Sequence, residues 1–168
     1  DSAIDSTLEA RLKTAQGAEE RMMLRSLAGK ISIANAKLTY QRYKEIYRGA
    51  RWQALAAKHA QTQRLLWAST STKNPAYRDV IYVEELIGRD TVDTVPTATF
   101  DAFRDHGRAR ASLEEQLEEA HDTMETLERV GISMPEVADK LLAEAVKLFV
   151  DPFDKLLSAV EKKRQALL

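Results

Sequence analysis

The sequence contains no cysteine, which excludes disulfides, thiolate metal sites and cysteine nucleophiles. Only six glycines and four prolines occur among the 168 residues, and this scarcity of helix-breaking residues favours a mostly helical chain. No apolar run reaches the roughly 18 residues that a membrane-spanning helix needs, and no signal peptide is recognisable. We therefore expect a cytoplasmic protein without a membrane partner.

The sequence also lacks an excess of either charge, because its 25 basic and 26 acidic residues give a formal net charge of −1. A chain without a positive field is a poor candidate for binding nucleic acid. Its three histidines are too scattered to predict a metal site. The 44% of hydrophobic residues suffices for a core, and without linkers or repeats residues 1–168 are predicted to form a single domain.

The most informative segment is residues 64–75, RLLWASTSTKNP, in which an apolar run ends abruptly in hydroxyls, Lys73 and an Asn-Pro pair. An apolar run followed by turn residues predicts a buried strand, here over 64–68. Asn74 is suited to cap a helix over 75–87 that Gly88 ends. A second short strand is predicted over 91–95, and each strand is followed by a helix.

The remainder of the chain has helical patterns. On the helix over 30–48, Tyr40, Tyr43 and Tyr47 share one face; we expect them to pack against other elements, with a stacking platform for a ligand as the alternative. Other helices are predicted over 2–24 (interrupted at Gly17), 51–60, from Thr97 to Asp105, from capping boxes at Ser112 and Ser133, and from Pro152 onward.

Two parallel strands do not form a stable sheet by themselves, because such strands need neighbours and helices over both faces. The pattern therefore predicts the carboxyl-terminal part of a larger α/β protein.

A set of segments along the chain is characteristic: Arg64–Tyr77, Tyr82–Gly88, Thr91–Pro96, Phe103–Gly107, Gly29–Lys30, Ala34–Leu38, Phe149 and Asp151–Phe153. These segments resemble the transaldolase family, and in particular its longer bacterial subfamily, whose members are sometimes fused to a glucose-phosphate isomerase. The resemblance implies a TIM (β/α)8 barrel in which the two strands are the seventh and eighth. It also implies a sixth strand that ends just before Asp1.

The resemblance further implies an enzyme, a transferase of the pentose phosphate pathway that moves a dihydroxyacetone unit between ketose and aldose phosphates without a cofactor. The family forms a Schiff base on a lysine of its fourth strand, which this chain lacks. No catalytic residue is therefore expected here, and the chain alone is predicted to be inactive. The expected partners are sugar phosphates and an amino-terminal part, or a second chain, that completes the barrel.

The family's phosphate-binding motif, Ala-Ser-aromatic-Arg-Asn, aligns with Ala68-Ser69, then Thr70-Ser71-Thr72, and then Lys73-Asn74. Two extra residues, and lysine in place of arginine, are departures from the family's pattern. Ser69 and Lys73 are accordingly the predicted phosphate-binding residues, with Thr70 and Asn74 as further candidates. Lysine binds phosphate as a point charge rather than as a planar fork, so looser orientation is expected. Lys73 also stands at the carboxyl end of a strand, where a Schiff-base role must be weighed against anion binding.

Weaker candidates have simpler explanations. Glu84 and Glu85 are adjacent on a predicted helix, and we expect a solvated face rather than an acid–base pair. His106 is expected at a helix end. Phe149 and Phe153 are expected to pack in a core, although the family folds its last helix across the barrel mouth. A catalytically inactive helical interaction module and a sugar-phosphate binding fragment are the alternative functions.

Overall fold

A computed structural model describes residues 1–167. Its helices and strands are mostly those predicted, with two short parallel strands among helices. In chain order they are α1 (Ser2–Thr14), α2 (Ala18–Leu27), α3 (Ile31–Arg48), α4 (Ala50–Ala56), β1 (Leu65–Ala68), α5 (Ile81–Glu85), β2 (Thr91–Thr94), α6 (Thr97–His106), a 3-10 helix (Ser112–Glu114), α7 (Leu117–Arg129) and α8 (Met134–Ala166).

The chain divides into two compact units, residues 1–130 and residues 131–168. The expectation of a single domain stays a prediction. None of the helices within residues 1–167 is both long enough and apolar enough to cross a membrane.

The sheet of the first unit consists of β1 and β2, which pair in parallel with Leu65 opposite Thr91 and Ala68 opposite Thr94. This pairing confirms the two predicted strands to within a residue at each end. On one face, Leu65 and Trp67 pack against a buried cluster contributed by α3 and by the residues around Leu86 and Leu113. The sheet is therefore covered by helices on that face.

The other face of the sheet is largely exposed: Leu66, Ala68 and Thr94 are exposed, and Val92 is half-buried. Alternation along a strand turns Leu66 and Ala68 away from the helices, and the register places Val92 and Thr94 beside them. Leu66 is 55% exposed, although a leucine in the centre of a strand is ordinarily buried. Within residues 1–130, helices therefore pack on one side of the strands.

The tyrosine-lined face of α3 packs as expected. Tyr40 is buried in the core cluster and stacks on Tyr43, with ring centroids 5.9 Å apart. Tyr43 contacts Tyr47, which in turn meets Trp52 of α4 edge-on. The tyrosine-lined face of α3 therefore packs against α4 and β1, which confirms the packing interpretation.

The predicted helix over 75–87 is wrong in its first half, because α5 begins only at Ile81. Asn74 does not cap a helix; its side-chain oxygen accepts the Ala76 N–H at 3.0 Å within a turn. The side chains that follow are used in other contacts, Tyr77 with the distant Asp5 and Arg78 with Glu84 of α5. These tertiary contacts prevail over the local helical pattern.

The two capping boxes have different outcomes. At Ser133 the prediction is confirmed, since its hydroxyl accepts the Glu136 N–H at 3.4 Å. At Ser112 it is wrong: the residue is fully buried, starts a single 3-10 turn and donates its hydroxyl to the Glu84 carbonyl. The hydrogen-bond partners of the Ser112 hydroxyl lie 25 or more residues away in the sequence, so long-range contacts outweigh the local capping pattern.

The second unit is dominated by α8, one helix of 33 residues that contains Pro152 in its interior. The prediction that a new helix starts at Asp151-Pro152 is therefore wrong. A proline removes one backbone hydrogen bond, but the leucine- and lysine-rich residues around it favour helix, and a Lys147–Asp151 ion pair supports the turn before it. Many of its apolar side chains are exposed, including Leu148 at 73% and Phe149 at 80%.

Candidate anion-binding site after the first strand

The turn that follows β1 is the candidate site, and we call residues 69–74 the elbow. Ser69 directly follows Ala68, is exposed, and has a φ of 59° in the left-handed region that serine seldom adopts. The chain thus turns sharply at the carboxyl end of the strand. In α/β barrels this end of the strands carries the ligand-binding loops.

Lys73 supplies the cation of the elbow. Its side chain is exposed, and Nζ donates to the Ser71 hydroxyl at 3.4 Å. Schiff-base lysines act from desolvated surroundings, so this exposed ammonium is better suited to contact an anion than to form a covalent bond. Asn74 is engaged in its turn through Ala76, and its side-chain oxygen is already used as an acceptor.

Thr70 occupies a different position from the other elbow residues. It is only 4% exposed, and its Oγ1 donates to Oδ1 of Asp93 on β2 at 3.0 Å. Burial raises the pKa of Asp93, while the Thr70 hydroxyl and the Thr94 backbone N–H oppose that rise. Asp93 was missed from the sequence, although an aspartate in the middle of a strand is itself a signal because strands disfavour it.

Beyond the elbow, the chain is anchored by residues that lie far away in the sequence. The Tyr77 hydroxyl donates to Asp5 Oδ2 at 3.0 Å; burial, together with this hydrogen bond, raises the pKa of Tyr77 to about 12. The Tyr77 ring also lies against Gly29, where an added Cβ would come within 3.0 Å of it, and Gly29 has a φ of 72°. This close approach requires glycine.

Glu84 corrects the expectation of a solvated face, because the residue is only 4% exposed. It accepts two hydrogen bonds from the Arg78 guanidinium, at 2.8 and 3.0 Å, and the Arg108 N–H at 2.9 Å. Burial alone raises the pKa of Glu84, but these donors outweigh it and lower the pKa below its usual value. Glu84 therefore ties the segment after the elbow to the segment after α6.

His106 is the last residue of α6, as its predicted place at a helix end requires. Its Nε2 lies 2.9 Å from Asp79 and its Nδ1 lies 3.1 Å from Asp105. Hydrogen bonds to Asp79 and Asp105 raise the pKa of His106, and the pairing lowers that of Asp79. Within residues 1–167, no three His, Asp or Glu side chains are grouped so as to hold a metal ion.

A cavity of about 250 Å³ between α3, α5 and α7 is the main alternative location for a ligand. Its charged groups are already paired: the buried Lys37 contacts Glu85 at 3.1 Å, and Lys30 contacts Glu119 at 2.8 Å. Compensated charges give an anionic ligand little to bind. The elbow, with an exposed lysine and an exposed serine at a strand end, is the better candidate for a phosphate site.

A parallel strand pair followed by helices is typical of α/β proteins, whose ligands bind at the carboxyl ends of the strands. The family model for transaldolase/fructose-6-phosphate aldolase matches residues 3–160. The chain therefore belongs to the transaldolase/fructose-6-phosphate aldolase family.

Individual relatives agree with this assignment. The chain is 44% identical to a transaldolase of Trichodesmium erythraeum over 169 aligned residues, 99% of this chain and 44% of that protein. It is 49% identical to transaldolase 2 of Nostoc punctiforme over 146 residues, 86% of this chain and 38% of that protein. The chain thus spans less than half the length of the curated relatives it matches.

Proposed function

We propose that the chain is the carboxyl-terminal part of a transaldolase barrel, in which β1 and β2 are the seventh and eighth strands. The proposal is supported by the largely exposed sheet face of Leu66, Ala68, Val92 and Thr94, which would be buried in the interior of a barrel. It is further supported by relatives about twice as long as this chain, which provide enough sequence for the remaining strands.

The reaction that we propose is the transfer of a dihydroxyacetone unit between ketose and aldose phosphates in the pentose phosphate pathway of the cytoplasm. The reactive lysine belongs to the amino-terminal part, and no cofactor is required. The observation that carries this proposal is the elbow, where Ser69 and Lys73 are exposed at the carboxyl end of β1. In this assignment Lys73 binds the substrate phosphate as a point charge, and the Ser69 hydroxyl donates a hydrogen bond to it.

The second unit has a place in the same assignment. α8 carries exposed apolar residues that include Phe149 and Phe153, and an amphipathic helix of this kind is stable when its apolar face is covered. We propose that this apolar face is covered in the complete protein.

Complementation tests this proposal directly. The amino-terminal part of the Trichodesmium erythraeum transaldolase is joined in front of this chain, and sugar-phosphate exchange is measured with a coupled dehydrogenase assay. We expect activity from the chimera and none from either part alone. Borohydride trapping with a ketose phosphate is expected to label the amino-terminal part, and labelling of Lys73 would refute the assignment.

The role of Lys73 is tested in the same chimera by Lys73→Met, with Lys58→Met as the matched control because Lys58 is an exposed lysine that precedes β1 in the sequence. Loss of a charged hydrogen bond, worth about 1.5–3 kcal/mol, predicts a rise in KM for sugar phosphates of roughly 10- to 100-fold. Lys73→Arg is expected to retain most of the affinity. Equal KM values for the Lys73→Met and Lys58→Met chimeras would contradict the site.

Two other functions make different predictions. A sugar-phosphate binding fragment would bind inorganic phosphate by itself through Lys73, measurable by calorimetry on the chain alone. A helical interaction module would show neither phosphate binding nor activity in the chimera. The paired arrangement of an exposed serine and lysine after β1 favours the first of these alternatives over the second.

A further inference from the structure

One hydroxyl group links the elbow to β2, and a second joins the carboxyl ends of the two strands. Thr70 Oγ1 donates to Asp93 Oδ1 at 3.0 Å, and Thr94 Oγ1 donates to the Trp67 carbonyl at 3.3 Å. Asp93 pairs with Trp67 in the sheet register and is half-buried. The acceptor for Thr70 is therefore fixed by a strand, and not by another flexible loop.

The position of Thr70 in the sequence makes this hydrogen bond relevant to ligand binding. Thr70 immediately follows Ser69, whose left-handed backbone is an unfavourable state for a residue with a Cβ. Such a conformation persists only where its surroundings hold it. The buried Thr70 side chain is a direct anchor for the peptide that follows Ser69, and it cannot at the same time donate its hydroxyl to a phosphate.

We propose that Asp93 is a positioning residue for the anion-binding elbow, acting through the Thr70 hydroxyl to hold Ser69 and Lys73 in place for the substrate phosphate. This inference rests on the proposed function of the elbow. It assigns to Thr70 an anchoring role in place of direct phosphate contact. The useful property of Asp93 is its acceptor oxygen, because a negative charge beside a bound phosphate would weaken binding.

Conservative and disruptive variants in the active chimera separate this role from general stability. Asp93→Asn keeps an acceptor oxygen and Thr70→Ser keeps the hydroxyl, so both are expected to stay within about twofold of the parent KM. Asp93→Ala and Thr70→Val each remove the hydrogen bond. For these two we expect KM for sugar phosphates, and the inhibition constant of inorganic phosphate, to rise roughly fivefold to tenfold with kcat within about twofold.

The double variant gives the sharpest test of the pair. If Asp93 acts through Thr70, combining Thr70→Val with Asp93→Ala raises KM no further than either single change, because both remove the same hydrogen bond. Additive effects would overturn the proposal. So would a lower kcat with unchanged KM, or a change in melting temperature alone.

The proposal can still be tested if one of the variants does not fold. Should Asp93→Ala not fold, Thr70→Val and Thr70→Ser leave β2 intact, and an unchanged phosphate inhibition constant in Thr70→Val refutes the inference. An inactive parent chimera would count against the proposed function. An active parent whose phosphate binding is insensitive to both positions would count against the role of Asp93 alone.

Discussion

Replacing Glu84 by glutamine is expected to destabilise the first unit at neutral pH and to have little effect in acid. Glu84 is buried, and its carboxylate accepts two hydrogen bonds from Arg78 and one from the Arg108 N–H. Glutamine has nearly the same volume and retains one acceptor oxygen. The variant therefore removes the charge without opening a cavity.

The magnitude follows from the exposure of the two partners. Arg78 is 57% exposed on its side chain and regains water when its partner is lost, so the penalty falls below that of a fully buried pair. Weakening hydrogen bonds to a charged group predicts a loss of about 1–2 kcal/mol in the free energy of unfolding. Glu84→Ala also leaves the Arg108 N–H without this acceptor, and we expect about 3 kcal/mol for it.

The pH dependence has a definite sign. The folded-state pKa of Glu84 is lowered, so its stabilising contribution is present above the unfolded-state value and is lost as pH falls through the folded-state pKa. The difference between the parent and Glu84→Gln should therefore be full at pH 7 and shrink progressively in acid, below the ordinary pKa of glutamate.

Urea unfolding monitored by tryptophan fluorescence measures this effect, because Trp52 and Trp67 both belong to the first unit. Glu128→Gln, a change at an exposed glutamate of α7, is the control and is expected within about 0.5 kcal/mol of the parent. A Glu84→Gln midpoint equal to that of the control at pH 7 would refute the reasoning. So would a stability difference that persists undiminished at pH 3.

Three further variants probe other contacts. Asp79→Asn is expected to lower the pKa of His106, because it removes the carboxylate that pairs with the imidazole. The pKa of His106 is raised in the folded state, so its pairing stabilises the fold most in acid, and this contribution is lost as pH rises through that pKa. An NMR titration of His106 that is unchanged in the variant would contradict the pairing. Gly88→Ala places a Cβ 2.5 Å from a side-chain carbon of the fully buried Leu113 and should cost about 1–3 kcal/mol, checked by urea unfolding. Pro152→Ala restores a backbone hydrogen bond of α8 and removes the clash of the proline ring, together worth about 3 kcal/mol, so circular dichroism should show higher helicity and a later thermal loss of helix; an unchanged signal would argue against a continuous helix.

The strands and the elbow could be predicted because their signals are local. The apolar run of β1 and the hydroxyl-rich residues behind it are adjacent in the sequence, and so are Ser133 and Glu136 of the confirmed cap. The packing of Tyr40 was likewise predictable from a helical period. The roles of Ser69 and Lys73 in binding stay predictions, although both side chains lie exposed at the expected strand end.

The remaining features depend on partners that lie far away in the sequence. The sequence predicts a solvated face for Glu84, because the residues next to it reveal neither its contact with Arg108 nor the burial of α5. The local pattern predicts that the Ser112 hydroxyl caps a helix, yet it donates a hydrogen bond to the carbonyl of Glu84, 28 residues away in the sequence. The anchoring of Thr70 by Asp93 spans 23 residues and requires the strand register, which no local pattern specifies.

The two-stranded sheet has a practical consequence for the chain when it is produced alone. Among the described residues β1 and β2 pair only with each other, so each strand has an outer edge whose backbone N–H and C=O groups no further strand uses. Such edges are templates on which other extended chains add. With the exposed Leu66 beside them, we expect concentrated samples of the chain alone to self-associate, and co-production with an amino-terminal part to suppress that association.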